Sequence, residues 1–170
     1  MINEKDFIMK LFKNYYLAGI FGVVLISLGS LITAVFYTGT HGEDYSPLNH
    51  YISELGQYGV SQLALVFNFS IIFGCLLLTF FMVRLGSYIG GKFGIFFSVT
   101  GLIAVVSGTL VGVFSMNNMQ YHVPVAFTFF RTALLCSILF SGYVLFVKQS
   151  KFKKVTSIPG IITFLGTAHK

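Results

Sequence analysis

Charge is what this sequence has least of. Of its 170 residues only 9% are Asp, Glu, Lys or Arg, while 55% are apolar. A water-facing surface ordinarily draws on roughly 25% charged residues, so an ordinary soluble domain is excluded. A chain this short cannot hide so much apolar surface inside itself either, because small domains bury only part of what they have. Lipid must be the solvent for most of it. Cysteine is equally scarce. Cys75 and Cys136 both fall inside apolar blocks; they read as two small buried hydrophobes, with a disulfide near mid-membrane as the alternative. A cleavable leader is also missing: the first apolar block is too long and no small-residue cleavage pattern follows it, so it is expected to stay as a span. The net charge of +6 invites a nucleic-acid reading. The basic residues, however, sit at the ends of apolar blocks and form no aromatic-interleaved patch, which argues against nucleic acid as a partner.

What is present is a series of long apolar blocks. Spans are predicted at about 15–37, 63–83, 93–115 and 123–147, each long enough to cross a hydrocarbon core of roughly 30 Å. A fifth piece, 158–167, is too short to cross as a regular helix. The fold class is therefore all-α, an integral membrane helical bundle in a single domain, with one polar stretch at 38–62. Lys5, Lys10 and Lys13 precede the first span, Arg84 and Lys92 lie between the second and third, and Lys148, Lys151, Lys153 and Lys154 follow the fourth. The other two connections contain neither Lys nor Arg. Basic residues mark the cytoplasmic side, which puts the amino terminus inside and faces 38–62 and 116–122 outward.

The spans carry faces. In the third, Gly94, Ser98, Gly101, Gly108, Gly112 and Ser115 fall on one stripe at helical spacing. Small residues let helices approach closely where lipid gives no hydrophobic drive, so the stripe is expected to pack against neighbours. Gly94, Gly101, Gly108 and Gly112 are also candidate contacts between copies in a homo-oligomer. Gly19, Gly22, Gly29, Ser30 and Thr33 repeat the idea in the first span; Ser61, Ala64, Asn68, Cys75 and Thr79 do so at the second. The ends of the first and third spans resemble each other (29–36 against 107–114), which fits either an old helix-pair duplication or biased composition.

Chemistry is concentrated in the stretch His41 to Gly56. Ser46 followed by Pro47 is a favourable helix start and Gly56 a natural stop, so a helix of about two turns is expected between them. It would place His50 and Glu54 on one face. That pair suits an acid/base role or, with His41, Asp44 and His122, a metal site. A catalytic zinc takes three protein ligands, but no dense signature such as His-Glu-x-x-His is present. The alternative is an interfacial helix whose polar face is simply wet. Arg131 lies inside the fourth span, where a charge costs about 2.5–3.5 kcal/mol on insertion scales and needs a partner or a route to water. It is expected to snorkel toward the outer interface. Glu54 is its candidate counter-ion, and Asn68 is expected at a comparable depth. Either the two charges tie the loop to the bundle, or Arg131 holds an anion such as a lipid phosphate or carboxylate.

The segment Ser46-Pro47-Leu48-Asn49-His50-Tyr51-Ile52-Ser53-Glu54-Leu55-Gly56, with Phe67-Asn68 opening the second span, resembles a family of bacterial and archaeal six-span membrane proteins of unknown function. More distantly, Ile52-Ser53-Glu54-x-Gly56 is similar to the core of the DRAM-type family of eukaryotic membrane proteins. Gly112-Val113-Phe114 followed by His122 and an aromatic run also suits the prokaryotic family. Two departures stand out. Members often carry Pro and Asp where this chain has Ser115 and Asn117, and they usually complete a fifth and sixth span, whereas this sequence stops at Lys170. The resemblance implies architecture and no reaction; its eukaryotic side hints at lipid-linked roles.

Together these features lead to a membrane protein binding a lipid head group or small anion at its outward face through Glu54, His50, Asn68, His122 and Arg131, with membrane lipids as partners and no cofactor implied. The competing class is a membrane-embedded hydrolase or transferase with His50 or Glu54 as base. A transporter subunit has less behind it, because one intramembrane charge offers little pathway. Phe-, Ile- and Lys-rich usage fits the cytoplasmic membrane of a prokaryote.

Overall fold

The computed structural model describes residues 14–147, 150 and 152–168. Lys5, Lys10, Lys13, Lys148 and Lys151, on which the expected orientation partly rests, lie outside them. Among the described residues five helices follow one another: α1 (Tyr15–Val35), α2 (Ala64–Ile89), α3 (Gly91–Val113), α4 (Met119–Phe146) and the short α5 (Ile158–Ala168). The first four are long and apolar enough to cross a membrane. At 1.5 Å per residue the 11 residues of α5 reach only about 16 Å, short of a crossing. Among the described residues no strand forms; Thr38 and Asp44 make one isolated antiparallel bridge in the loop after α1.

Two helices run beyond the expected bounds: α4 begins at Met119 rather than about 123, and α2 overruns its expected end. Arg84 was expected in a turn after the second span, yet α2 continues through it to Ile89. Gly90 supplies the break, with φ +81°, a left-handed conformation that L side chains rarely adopt. The chain then folds straight back into α3. A Cβ at Gly94 would run into the Gly86 carbonyl, so two bare backbones make that return.

Consecutive helices pack against each other, α1 on α2, α2 on α3, α3 on α4 and α4 on α5. Glycine sets the separations. A Cβ at Gly22 of α1 would lie 2.8 Å from the Gly74 carbonyl of α2, and one at Gly112 of α3 would lie 2.8 Å from the Asn68 carbonyl. The α3 stripe expected to pack against neighbours does so within the chain: Gly94, Gly101, Gly108 and Gly112 are all buried, each with α2 as a neighbour. Among the described residues α1 and α4 do not form a packed pair. The gap between them is floored by α2 and α3.

Two apolar clusters close the ends of the bundle. Tyr37, Leu55 and Phe67 form one beneath the loop, and Leu85, Ile89, Phe97 and Cys136 form the other near Gly90. Cys75 and Cys136 are both free and buried, as the small-hydrophobe alternative requires.

The loop 38–62 corrects one expectation. No continuous helix runs from Pro47 to Gly56. The chain makes a turn in which the His50 and Asn49 N–H groups both donate to the Ser46 carbonyl, then extends at Tyr51 (ψ 143°) and restarts as a 3-10 turn over Ile52–Gly56. The physical reason is burial. The restart lets Leu55, 1% exposed, drop into the cluster with Tyr37 and Phe67.

Candidate functional site

The loop is fastened to the bundle by polar bonds as well as by Leu55. Glu54 Oε1 accepts the Tyr51 backbone N–H at 2.8 Å, and Oε2 accepts the Tyr37 hydroxyl at 3.2 Å. Burial, with the Glu54 carboxylate beside it, pushes the Tyr37 phenol up to about 12. Asn68 Nδ2 donates to the Gly56 carbonyl at 2.9 Å, and a Cβ at Gly56 would strike the Asn68 amide oxygen. Asn117, in the turn before α4, holds Tyr58 by both backbone groups: the Tyr58 N–H donates to Oδ1 at 2.8 Å and Nδ2 donates to the Tyr58 carbonyl at 2.9 Å. Gln62 closes the loop on itself by accepting the Thr38 N–H at 2.9 Å.

His50 does not reach its expected partner. Its Nδ1 accepts the Ser46 N–H at 3.1 Å, its Nε2 stands 3.7 Å from Glu43, and its ring packs edge-on to Tyr37, 5.4 Å between centroids. Glu43 is held below the usual carboxylate range by its own backbone N–H and by that of His41. Among the described residues no three His, Cys, Asp or Glu side chains converge as a metal set.

Beneath the loop, in the gap between α1 and α4, lies a cavity of about 150 Å³. Ile26 and Ser30 of α1 and Ala126, Phe129 and Phe130 of α4 wall it, and Phe67, Ile71, Cys75, Gly108 and Val111 of α2 and α3 floor it. Ile52 and Ser53 bring the loop to it, and His122 lines it from the first turn of α4. Ser30 donates its hydroxyl back to the Ile26 carbonyl at 2.8 Å. His122, 5% exposed, has its Nδ1 2.6 Å from the Phe114 carbonyl.

The five residues expected to share one pocket are thus separated. His122 faces the cavity. Glu54, Asn68 and His50 act above it as fastenings of the loop. Arg131 lies nine positions after His122, two and a half helical turns, and so on the opposite face of α4. It is exposed, with its guanidinium carbon 5.4 Å from the centroid of the Phe127 ring one turn nearer the loop end, the direction expected of a snorkelling arginine. No acidic residue follows Glu54 anywhere in the sequence, and the Glu54 oxygens are bonded to Tyr51 and Tyr37. Ser53, Tyr37 and Asn117 were not singled out from the sequence. Ser53 had left a signal there as part of the Ile52–Gly56 motif, and Asn117 as a departure from its relatives.

A bundle of four membrane-length apolar helices with a loop-capped cavity among its described residues is the architecture of a multi-pass membrane protein. The chain belongs to the family described as a protein of unknown function (DUF998), whose model matches residues 18–168. No curated protein and no solved structure matches it.

Proposed function

We propose that the protein binds a membrane lipid at the loop end of the bundle, with part of the lipid's apolar tail in the cavity between α1 and α4. The observation that carries this is the cavity's wall, apolar side chains from four helices around about 150 Å³. A space of this size and lining holds water poorly and takes an apolar guest. Its position between two helices that do not pack together gives a tail a sideways route from the bilayer. The loop end faces outward, on the basic-residue pattern of the connections, and the membrane is the cytoplasmic membrane of a prokaryote. A lipid phosphate is the counter-charge that suits Arg131, because no span supplies a carboxylate. The distant likeness of Ile52-Ser53-Glu54-x-Gly56 to the DRAM-type family points the same way. A hydrolase or transferase with His50 or Glu54 as base has less support, since the polar atoms of both are engaged in holding the loop.

Native mass spectrometry of the detergent-purified protein tests this, comparing wild type with Ala126→Phe and Arg131→Ala. Wild type should carry a discrete lipid mass. Filling the cavity in Ala126→Phe should remove it, and Arg131→Ala should shed anionic lipids selectively. Retention of the same lipids by Ala126→Phe, correctly folded, would move the site elsewhere.

A further inference from the structure

Two polar groups at the outer end of this cavity have no protein partner among the described residues, and their chemistry narrows what the cavity holds. The Phe114 carbonyl can only accept, so the 2.6 Å contact with His122 Nδ1 requires that nitrogen to carry the proton. A neutral imidazole has one N–H, so Nε2 is left as a bare acceptor on a ring that is 5% exposed and lines the cavity. The Ser53 hydroxyl, half-buried on the same lining, both donates and accepts. An acceptor on the wall of an otherwise apolar cavity gains from a guest that supplies a donor.

We propose that His122 and Ser53 form a hydroxyl-recognition site, so that the preferred guest is an amphipathic alcohol, a lipid chain ending in a neutral hydroxyl. Such a group donates to His122 Nε2 and accepts from Ser53. An ether oxygen accepts from Ser53 alone, and a carboxylate or phosphate presents lone pairs to a lone pair at His122. The inference rests on the tail-binding assignment above and adds the chemistry of the polar end. It also divides the labour of α4: anions at the exposed Arg131 face, a neutral hydroxyl at the His122 face.

The test measures retention of myristyl alcohol and of myristyl methyl ether by the detergent-purified protein, using native mass spectrometry at matched concentrations. Wild type should hold the alcohol about 2- to 12-fold better than the ether, the factor carried by one net hydrogen bond. His122→Asn keeps an N–H for the Phe114 carbonyl while withdrawing the ring acceptor, and should erase that preference. Ser53→Ala, which removes no bond within the protein, should weaken alcohol retention with the melting temperature unchanged. Equal retention of both probes by wild type would overturn the hydroxyl site and leave tail binding standing. A preference that survives His122→Asn would also overturn it. If wild type retains neither probe, the hydroxyl site and the tail-binding assignment fall together.

Discussion

Tyr37 is the residue on which the loop turns. It is 2% exposed, gives its hydroxyl to Glu54 and stacks edge-on against both His50 and Tyr45. Glu54→Ala leaves the Tyr37 hydroxyl and the Tyr51 N–H without an acceptor, at a cost of about 1–3 kcal/mol. Glu54→Gln retains a carbonyl for one of them and should cost less; thermal unfolding in detergent gives the order. The phenol offers a second readout. Its pKa stands near 12 in the fold against about 10 for a free tyrosine. A proton held more tightly in the folded state stabilises it fully below pH 10, and that stabilisation is lost as pH rises toward 12. In an alkaline difference titration, wild type minus Tyr37→Phe should contain a phenol that ionises near pH 12. A difference centred at 10 would mean that Tyr37 is neither buried nor beside Glu54 in solution. Glu54 itself was legible in the sequence as important, but its role was not, because its partner Tyr37 lies 17 positions away across a loop.

Among the elements, the four spans were legible because each is a run of apolar residues bounded by charge or glycine, and lipid leaves little else that such a run can be. The helix expected over 47–56 was not, because capping residues describe local preference while Leu55 is placed by the cluster it enters. Separation of Arg131 from His122 was legible in principle, since nine positions on a helix always face opposite ways. What the sequence could not supply is the partner of each face. Asn117 shows the limit most clearly: its two bonds to Tyr58 span 59 positions and join the two connections at the same end of the bundle. Asn117→Ala should uncouple them. Hydrogen exchange at Tyr58, whose N–H is bonded to the Asn117 side chain, should accelerate while amides within α2 keep their protection. Unchanged exchange at Tyr58 would show that the loop's other fastenings hold Tyr58 in place without Asn117.

At the scale of the whole molecule, the cavity exists because helices packed in chain order leave α1 and α4 apart, an outcome no single span encodes. Which leaflet that gap opens toward, for the lipid proposed above, depends on orientation, and the expected orientation rests on charge between the spans. Cys75 and Cys136 are 2% and 5% exposed, so the native chain gives little background to a thiol reagent. A new thiol placed by Thr40→Cys or Asn118→Cys would sit exposed at the loop end, and one placed by Lys154→Cys would sit exposed beyond the opposite end of α4. A membrane-impermeant maleimide applied to intact cells should label the first two and spare the third. Labelling of Lys154→Cys alone would invert the protein, place Ser53 and His122 at the cytoplasmic surface, and make the inner leaflet the source of the lipid.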